Sequence, residues 1–269
     1  MTGDPLPPVL LVGCGKMGGA LLKGWLAHGI LRAVVVEPAT VATKEFAGRA
    51  EVVPDAERLP ADFTPAAVIL AIKPQEMANV LPAYARFAKN AVFVSIMAGR
   101  TISVMDALLG GASVVRAMPN TPAAIGQGFT VAVAGRAVSA DQKALADRLL
   151  AATGEVAWVE GESLLDPVTA VSGGGPAYVF LLAELLEKAA VDQGVPQDLA
   201  RRMARATVAG SGALLAASPE DAGALRQAVT SPKGTTERAL AVLMDKEAWP
   251  KLVPEAIDAA THRSRELAS

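Results

Sequence analysis

Residues 9–24 read VLLVGCGKMGGALLKG. An apolar run leads into glycines at 13, 15 and 18, and a helix-forming stretch follows. This is G-x-G-x-x-G spacing placed between a strand and a helix, the context in which that pattern carries weight. Gly13 permits the tight turn, Gly15 lets the backbone approach a pyrophosphate, and Gly18 lets the helix pack on the strand. The amides of the first helical turn, at Lys16, Met17 and Gly18, then face phosphate oxygens.

The next apolar run, AVVVE (33–37), ends in Glu37, 19 residues beyond Gly18. A carboxylate there accepts hydrogen bonds from the adenosine ribose hydroxyls and repels a 2′-phosphate. A plain strand-end surface carboxylate is the competing reading. No Arg or Ser follows directly in EPAT, so the residues favour NADH over NADPH.

Further runs, AAVILAI (66–72), NAVFVSI (90–96) and ASVVRAM (112–118), are apolar on both faces, as strands of a buried parallel sheet are. Helix-like stretches separate them, including QEMANVLPAYARFAK (75–89). Alternating strand and helix implies right-handed βαβ units in a doubly wound, Rossmann-type sheet. Three strand ends carry small or polar residues at the carboxyl edge, where such folds bind ligands. They are AIKPQ with Ala71, Ile72, Lys73 and Pro74, SIMAGR with Ala98 and Gly99, and MPNTPAAIGQG with Asn120 and Thr121. Each alone is ordinary turn chemistry; three in succession favour a shared cofactor cleft.

After about residue 165 the strand signal stops. Helical segments are expected at 176–193, 197–217, 219–229 and 234–267, the last broken near Pro250 and Pro254. The division is therefore a dinucleotide-binding domain over 1–163 and an all-helical domain over 164–269. The helix AYVFLLAELLEKAAVDQG is apolar around most of its circumference. It is read as buried between subunits, with a central helix of a monomeric bundle as the alternative.

Composition narrows the partners. Of 269 residues 52% are hydrophobic, enough for a sizeable core, and the net charge of −2 lacks the basic footprint of a nucleic-acid binder. One cysteine, Cys14, and two distant histidines, His28 and His262, make neither an internal disulfide nor a metal site. The stretch MTGDPLPP has no signal-peptide pattern. The most apolar window, 168–186, is interrupted by SGGGP and carries Glu184, unlike a span of about 20 unbroken apolar residues. A cytoplasmic protein without membrane or metal is expected.

The reaction depends on the second half. Two-domain dehydrogenases that oxidise alcohols need a base, often a lysine or histidine on the first helix of the helical domain. Here Tyr178, Val179, Phe180 and Leu181 fill those turns and Lys188 comes three turns later. Reduction of an imine asks less of the protein, because a protonated C=N accepts hydride readily and needs only orientation, a carboxylate cradle and a hydrogen bond to nitrogen. VTSPKGTTE (229–237) supplies hydroxyls and turn residues for that task.

VTSPKGTTERALAVL (229–243) resembles the signature of pyrroline-5-carboxylate reductases, which make proline by reducing a cyclic imine with NAD(P)H. VGCGKMGGALLKG, AIKPQ, MPNTPAAIGQG and DPVTAVSGGGPAYVF fall in that family's order, so the resemblance runs from about Val9 to Leu267. It implies a helical domain that interlocks two subunits, often in larger rings such as decamers. It also places Ser231, Gly234, Thr235 and Thr236 around the substrate carboxylate and ring nitrogen. Thr236 is then the catalytic hydroxyl near that nitrogen, and the loop faces the partner subunit's cofactor domain.

Two positions depart from the family. Lys233 stands where many relatives have glycine, and either adds charge near the carboxylate or points to solvent. Glu37 stands where many carry a polar or basic residue and prefer NADPH. Ser172 to Pro176 are expected at the wall of the site, as a helix cap and a close-packing turn. Rival functions are a reductase of another small cyclic imine or of a hydroxy acid, and a dinucleotide-sensing regulator.

Overall fold

A computed structural model of the chain describes residues 5–268, the side chains of Thr40, Val41 and Ala268 excepted. The part of the N-terminal reading that falls on residues 1–4 lies outside the described residues. The sheet contains β1 (Val9–Val12), β2 (Ala33–Val36), β3 (Glu51–Val53), β4 (Ala67–Leu70), β5 (Val92–Ser95), β6 (Ser113–Met118), β7 (Gly128–Ala134) and β8 (Gly154–Trp158). Their order is β3-β2-β1-β4-β5-β6-β7-β8. Strands β3 to β6 are parallel, β7 runs antiparallel to β6, and β8 is parallel to β7. The order reverses between β1 and β4, where Val12 lies beside Leu70, so the crevice for a ligand opens at their carboxyl ends.

Every residue of β1, β2, β4 and β5 is buried, which is why those runs are apolar throughout. Successive side chains feed two cores. Leu11, Val35, Ile69 and Val94 meet Leu21, Leu22, Trp25 and Leu149 on one face. Leu10, Val34, Val68 and Phe93 meet Leu81, Tyr84 and Met105 on the other. The first layer comes from α1 (Lys16–Ala27) and the helix at 140–151, and part of the second from α2 (Ile102–Leu109). α3 (Ala140–Ala151) starts with a capping box between Ser139 and Gln142, and the Trp25 Nε1–H donates to Leu149 O at 2.8 Å, tying α1 to α3.

Two expectations about the first half of the chain need correcting. The stretch at 75–89 is not one helix: a 3-10 turn (Pro74–Glu76), one α-turn (Met77–Val80) and a 3-10 run (Leu81–Phe87) replace it. Pro82 has no N–H to continue an α-helical ladder, and 3-10 geometry carries the segment across the sheet instead. The five runs also undercount the sheet, which gains β3, β7 and β8.

The chain divides into two compact units, residues up to Gly173 with those from Ala260, and Gly174–Ala259. The second holds α4 (Gly175–Asp192), α5 (Gln197–Ala217), α6 (Ala222–Ala228), α7 (Thr235–Leu243) and the first half of α8 (Trp249–Ala268). The last expected helix is broken at 244–248 and not at its prolines. Pro250 falls in the first turn of α8, where a missing N–H costs nothing, and the helix continues through Pro254. No residue of α4 is buried, and Phe180 is 66% exposed and Leu185 54%. The helical stretch Glu162–Asp192 is long and apolar enough to cross a membrane by length and composition.

Candidate active site

The glycine loop has the geometry its spacing predicts. Gly13 has φ +89°, and a Cβ there would lie 2.6 Å from Ala71 O. A Cβ on Gly18 would lie 2.4 Å from Gly13 O, so α1 can approach β1 and β4 only with glycine there. Around Gly15 nothing stands within 4 Å of that position. Gly15 also caps α1 without a side-chain acceptor, leaving the first amides of the helix for a ligand. This open cradle fits a pyrophosphate.

Beside the loop lies a cleft of about 660 Å³ lined by Gly13, Gly15, Glu37, Ala71, Ile72 and Lys73. Six of the residues expected to hold a cofactor are thus brought together. The same cleft is lined by Asp55, Glu57, Glu76 and Tyr84, which the sequence reading missed. They come from the connections after β3 and β4, where no motif marks them. Burial pushes the Tyr84 phenol up to about 12, with Asp55 adding to the shift and Arg86 opposing it.

Glu37 is partly buried, and its two oxygens accept from the backbone: Oε2 from Cys14 N at 2.7 Å and Oε1 from Ala39 N at 2.8 Å. Cys14 itself is buried, and burial, aided by the charges of Glu37 and Glu45, pushes its thiol up to about 11. It fills space and is not a thiolate nucleophile. Lys16 is exposed and lines a smaller cavity of about 360 Å³ with Cys14, Lys23 and Glu45. Met17 is partly buried in the first turn of α1, and Pro74 opens the 3-10 turn after β4.

At the end of β5, Ala98 is exposed but Gly99 is buried. Gly99 has φ +65°, and a Cβ on it would meet Leu267 Cβ at 2.9 Å. Its smallness therefore serves the seating of the C-terminal helix, and Ala98 is the accessible member of the pair. The turn is anchored from behind by residues no motif indicated. Buried Arg116 on β6 pairs with Glu162 at 3.0 Å, and Glu162 Oε1 also accepts from Ile102 N at 2.9 Å, at the start of α2.

After β6, Asn120 Oδ1 accepts from Phe129 N at 2.9 Å and its Nδ2 donates to Ser172 Oγ at 3.2 Å. Ser172 lies in a π-helical turn, Thr169–Gly173, that leads into α4. Nearby, the Ser264 hydroxyl donates to the buried Asp166 carboxylate at 2.7 Å.

In the helical unit the hydroxyl loop is folded by its own backbone. The Thr230 hydroxyl donates to Arg226 O at 2.6 Å, and Gly234 N donates to Ser231 O at 3.0 Å. Gly234 caps α7 with no side-chain acceptor, so the amides of Thr235 and Thr236 in the first helical turn remain open to an anion. Ser231, Thr235 and Thr236 are all exposed. Lys233 has φ +59°, the left-handed region that favours glycine, and its N–H donates to Glu237 Oε2 at 2.9 Å. The backbone at this position would therefore suit a glycine.

Pyrroline-5-carboxylate reductase of Pseudomonas aeruginosa is 36% identical over 275 residues, covering 97% of each chain. The chain belongs to the pyrroline-5-carboxylate reductase family. Residues 162–267 match the family described as pyrroline-5-carboxylate reductase dimerisation, and residues 8–99 match that described as NADP oxidoreductase, coenzyme F420-dependent. A pyrroline-5-carboxylate reductase from Coxiella burnetii superposes with a TM-score of 0.88 at 30% identity, covering 97% of this chain and 98% of that one. The pyrroline carboxylate reductase of Plasmodium falciparum, solved with NADP bound, gives a TM-score of 0.84 at 26% identity and covers 99% of this chain and all of that one. The dimerisation region of the family takes in the π-helical turn, the bare helix α4 and the hydroxyl loop. Homo-oligomerisation through this half explains why α4 carries exposed Phe180, Leu181 and Leu185.

Proposed function

We propose that the chain reduces 1-pyrroline-5-carboxylate to L-proline in the cytoplasm, with NADH as the preferred hydride donor. The observation that carries this is the hydroxyl loop set against an uncapped helix start. The open amides of Thr235 and Thr236, with Ser231 and Gly234, can hold a carboxylate, and the Thr236 hydroxyl can hydrogen-bond the ring nitrogen. No lysine or histidine stands in the first turns of α4, which suits an imine and not an alcohol. With its pyrophosphate in the glycine cradle, a bound dihydronicotinamide dinucleotide would supply the hydride. Reduction is complete when the imine carbon has gained hydride and the nitrogen holds the displaced π pair with a proton.

The NADH preference rests on the lining of the cleft. Glu37, Asp55, Glu57 and Glu76 put four carboxylates there, and Lys73 is the one cation among the described lining residues. A 2′-phosphate entering this field meets net repulsion, whereas ribose hydroxyls find acceptors.

Residues 1–163 then serve the cofactor and 164–269 the substrate and the partner subunit. The exposed apolar side of α4 meets a second copy of the chain and not lipid, a reading supported by the family's dimerisation region and by Glu184, Glu187 and Lys188 on the same helix. The loop of one subunit serves the cofactor cleft of its partner, and dimers assemble into a larger ring such as a decamer.

The test is product analysis with the purified chain. One proline per NADH oxidised is expected, and Thr236→Ala should lower turnover by about 1–3 kcal/mol of transition-state stabilisation. Consumption of NADH without proline, or unchanged kinetics in Thr236→Ala, contradicts the assignment.

A further inference from the structure

A chain of hydrogen bonds at the end of β6 has a direction, and that direction leaves one proton uncommitted. The Phe129 N–H can only donate, so the atom of Asn120 that receives it at 2.9 Å is the carbonyl oxygen. The amide of Asn120 is thereby oriented, and its Nδ2 is the donor to Ser172 Oγ at 3.2 Å. Ser172 accepts, and its own hydroxyl proton points elsewhere.

In a helix the usual outlet for such a proton is the carbonyl four residues back. Thr169 takes it, donating to Leu165 O at 2.6 Å. For Ser172 no acceptor is present among the described residues. The residue lies in the π-helical turn Thr169–Gly173, a geometry that shifts side chains out of the α-helical register and recurs at functional sites. A Cβ built on the neighbouring Gly173 would stand 3.7 Å from Met118 Sδ, so the turn lies against the end of β6.

This places the free proton at one end of the crevice. Glu37 follows β2, on one side of the reversal between β1 and β4; Asn120 follows β6, three strands along on the other side. A dinucleotide with its ribose at Glu37 extends across the strand ends toward β5 and β6, with its nicotinamide there.

We propose that Ser172 donates a hydrogen bond to an acceptor oxygen of the bound reactants, the nicotinamide carboxamide or the substrate carboxylate, and that Asn120 is the positioning residue that turns it to do so. The proposal rests on the reductase reading, and wild-type turnover of pyrroline-5-carboxylate is measured first so that a failure of that reading is seen separately.

The experiment uses the full chain with Ser172→Ala, Asn120→Asp and the double variant. An aspartate at 120 still accepts from Phe129 N–H, but it now also accepts the Ser172 proton and withdraws it from the reactants. Calorimetry gives the Kd for NADH and for its reduced thionicotinamide analogue, whose C=S is the weaker acceptor; kinetics at saturating NADH give KM for the imine.

If the carboxamide is the acceptor, Ser172→Ala weakens NADH about tenfold and wild-type discrimination against the thio analogue falls to within twofold. If the substrate carboxylate is the acceptor, the NADH Kd stays within twofold while the imine KM rises about tenfold. In either case Asn120→Asp reproduces the effect, and the double variant is no worse than the more impaired single. Asn120→Asp is isosteric, so it tests the same proton should Ser172→Ala fold poorly. The proposal is overturned if NADH Kd, thio discrimination and imine KM all stay within twofold of wild type in Ser172→Ala and Asn120→Asp, or if the losses in the two singles multiply in the double.

Discussion

The carboxylate of Glu37 accepts a 2.7 Å hydrogen bond from the backbone N–H of Cys14, so the acid at the end of β2 and the glycine loop after β1 form one clamp. Its other oxygen holds Ala39 N at 2.8 Å. Each oxygen keeps a lone-pair site for a ribose hydroxyl. The residue proposed to read the ribose thus also braces the glycine loop.

Replacing Glu37 with serine therefore has two expected effects. The ratio of kcat/KM for NADPH to that for NADH should rise by about tenfold, as one repelling charge is removed near the 2′ position. Stability should fall by about 1 kcal/mol because the Cys14 N–H loses its acceptor. An unchanged cofactor ratio shows that this carboxylate does not read the ribose.

Lys233 occupies left-handed backbone at φ +59°. Lys233→Gly should relieve that strain and raise stability by about 0.5–1 kcal/mol, after allowance for glycine's looser unfolded state. Urea or thermal unfolding reads this directly. If activity falls as well, the lysine side chain contributes charge to the carboxylate cradle; if the melting temperature drops, the strain argument is wrong.

The thiol of Cys14 is raised from 9.0 to about 11 by burial first and by Glu37 and Glu45 next. A raised pKa means the neutral form is favoured on folding, so this contribution to stability is fully present below pH 9 and declines as pH rises toward 11. Alkylation by iodoacetamide at pH 8 should be slow in the folded chain and fast in denaturant. Rapid labelling of folded protein contradicts the placement.

How much of this was legible follows from where each signal lies along the chain. β1, β2, β4 and β5 are buried on both faces, so their runs declare themselves. β3 is a short edge strand with Glu51 and Val52 exposed, and its composition does not stand out. β7 is antiparallel to β6 and follows a short 3-10 turn without an intervening helix, which breaks the strand–helix alternation used to find the others. The glycine loop was readable because its chemistry sits within six residues. Asn120 and Ser172 are 52 residues apart, Arg116 and Glu162 are 46 apart, and only the folded sheet joins them.

A site shared between subunits makes a further prediction. Gly15→Asp has room to fold, since nothing lies within 4 Å of its Cβ, but it puts a carboxylate in the cradle proposed to hold the pyrophosphate. Mixed and reassembled with Thr236→Ala, it should yield more activity than the two variants measured apart, because some sites then draw an intact cleft and an intact loop from different chains. Activity no greater than the sum means that each chain builds its own site.

The most direct test of the central claim is steady-state oxidation of NADH and of NADPH by the purified chain with pyrroline-5-carboxylate. Turnover with both, and a higher kcat/KM with NADH, is the predicted result. No turnover with either cofactor contradicts the reductase reading, and a higher kcat/KM with NADPH contradicts the role given to Glu37 and the acidic cleft.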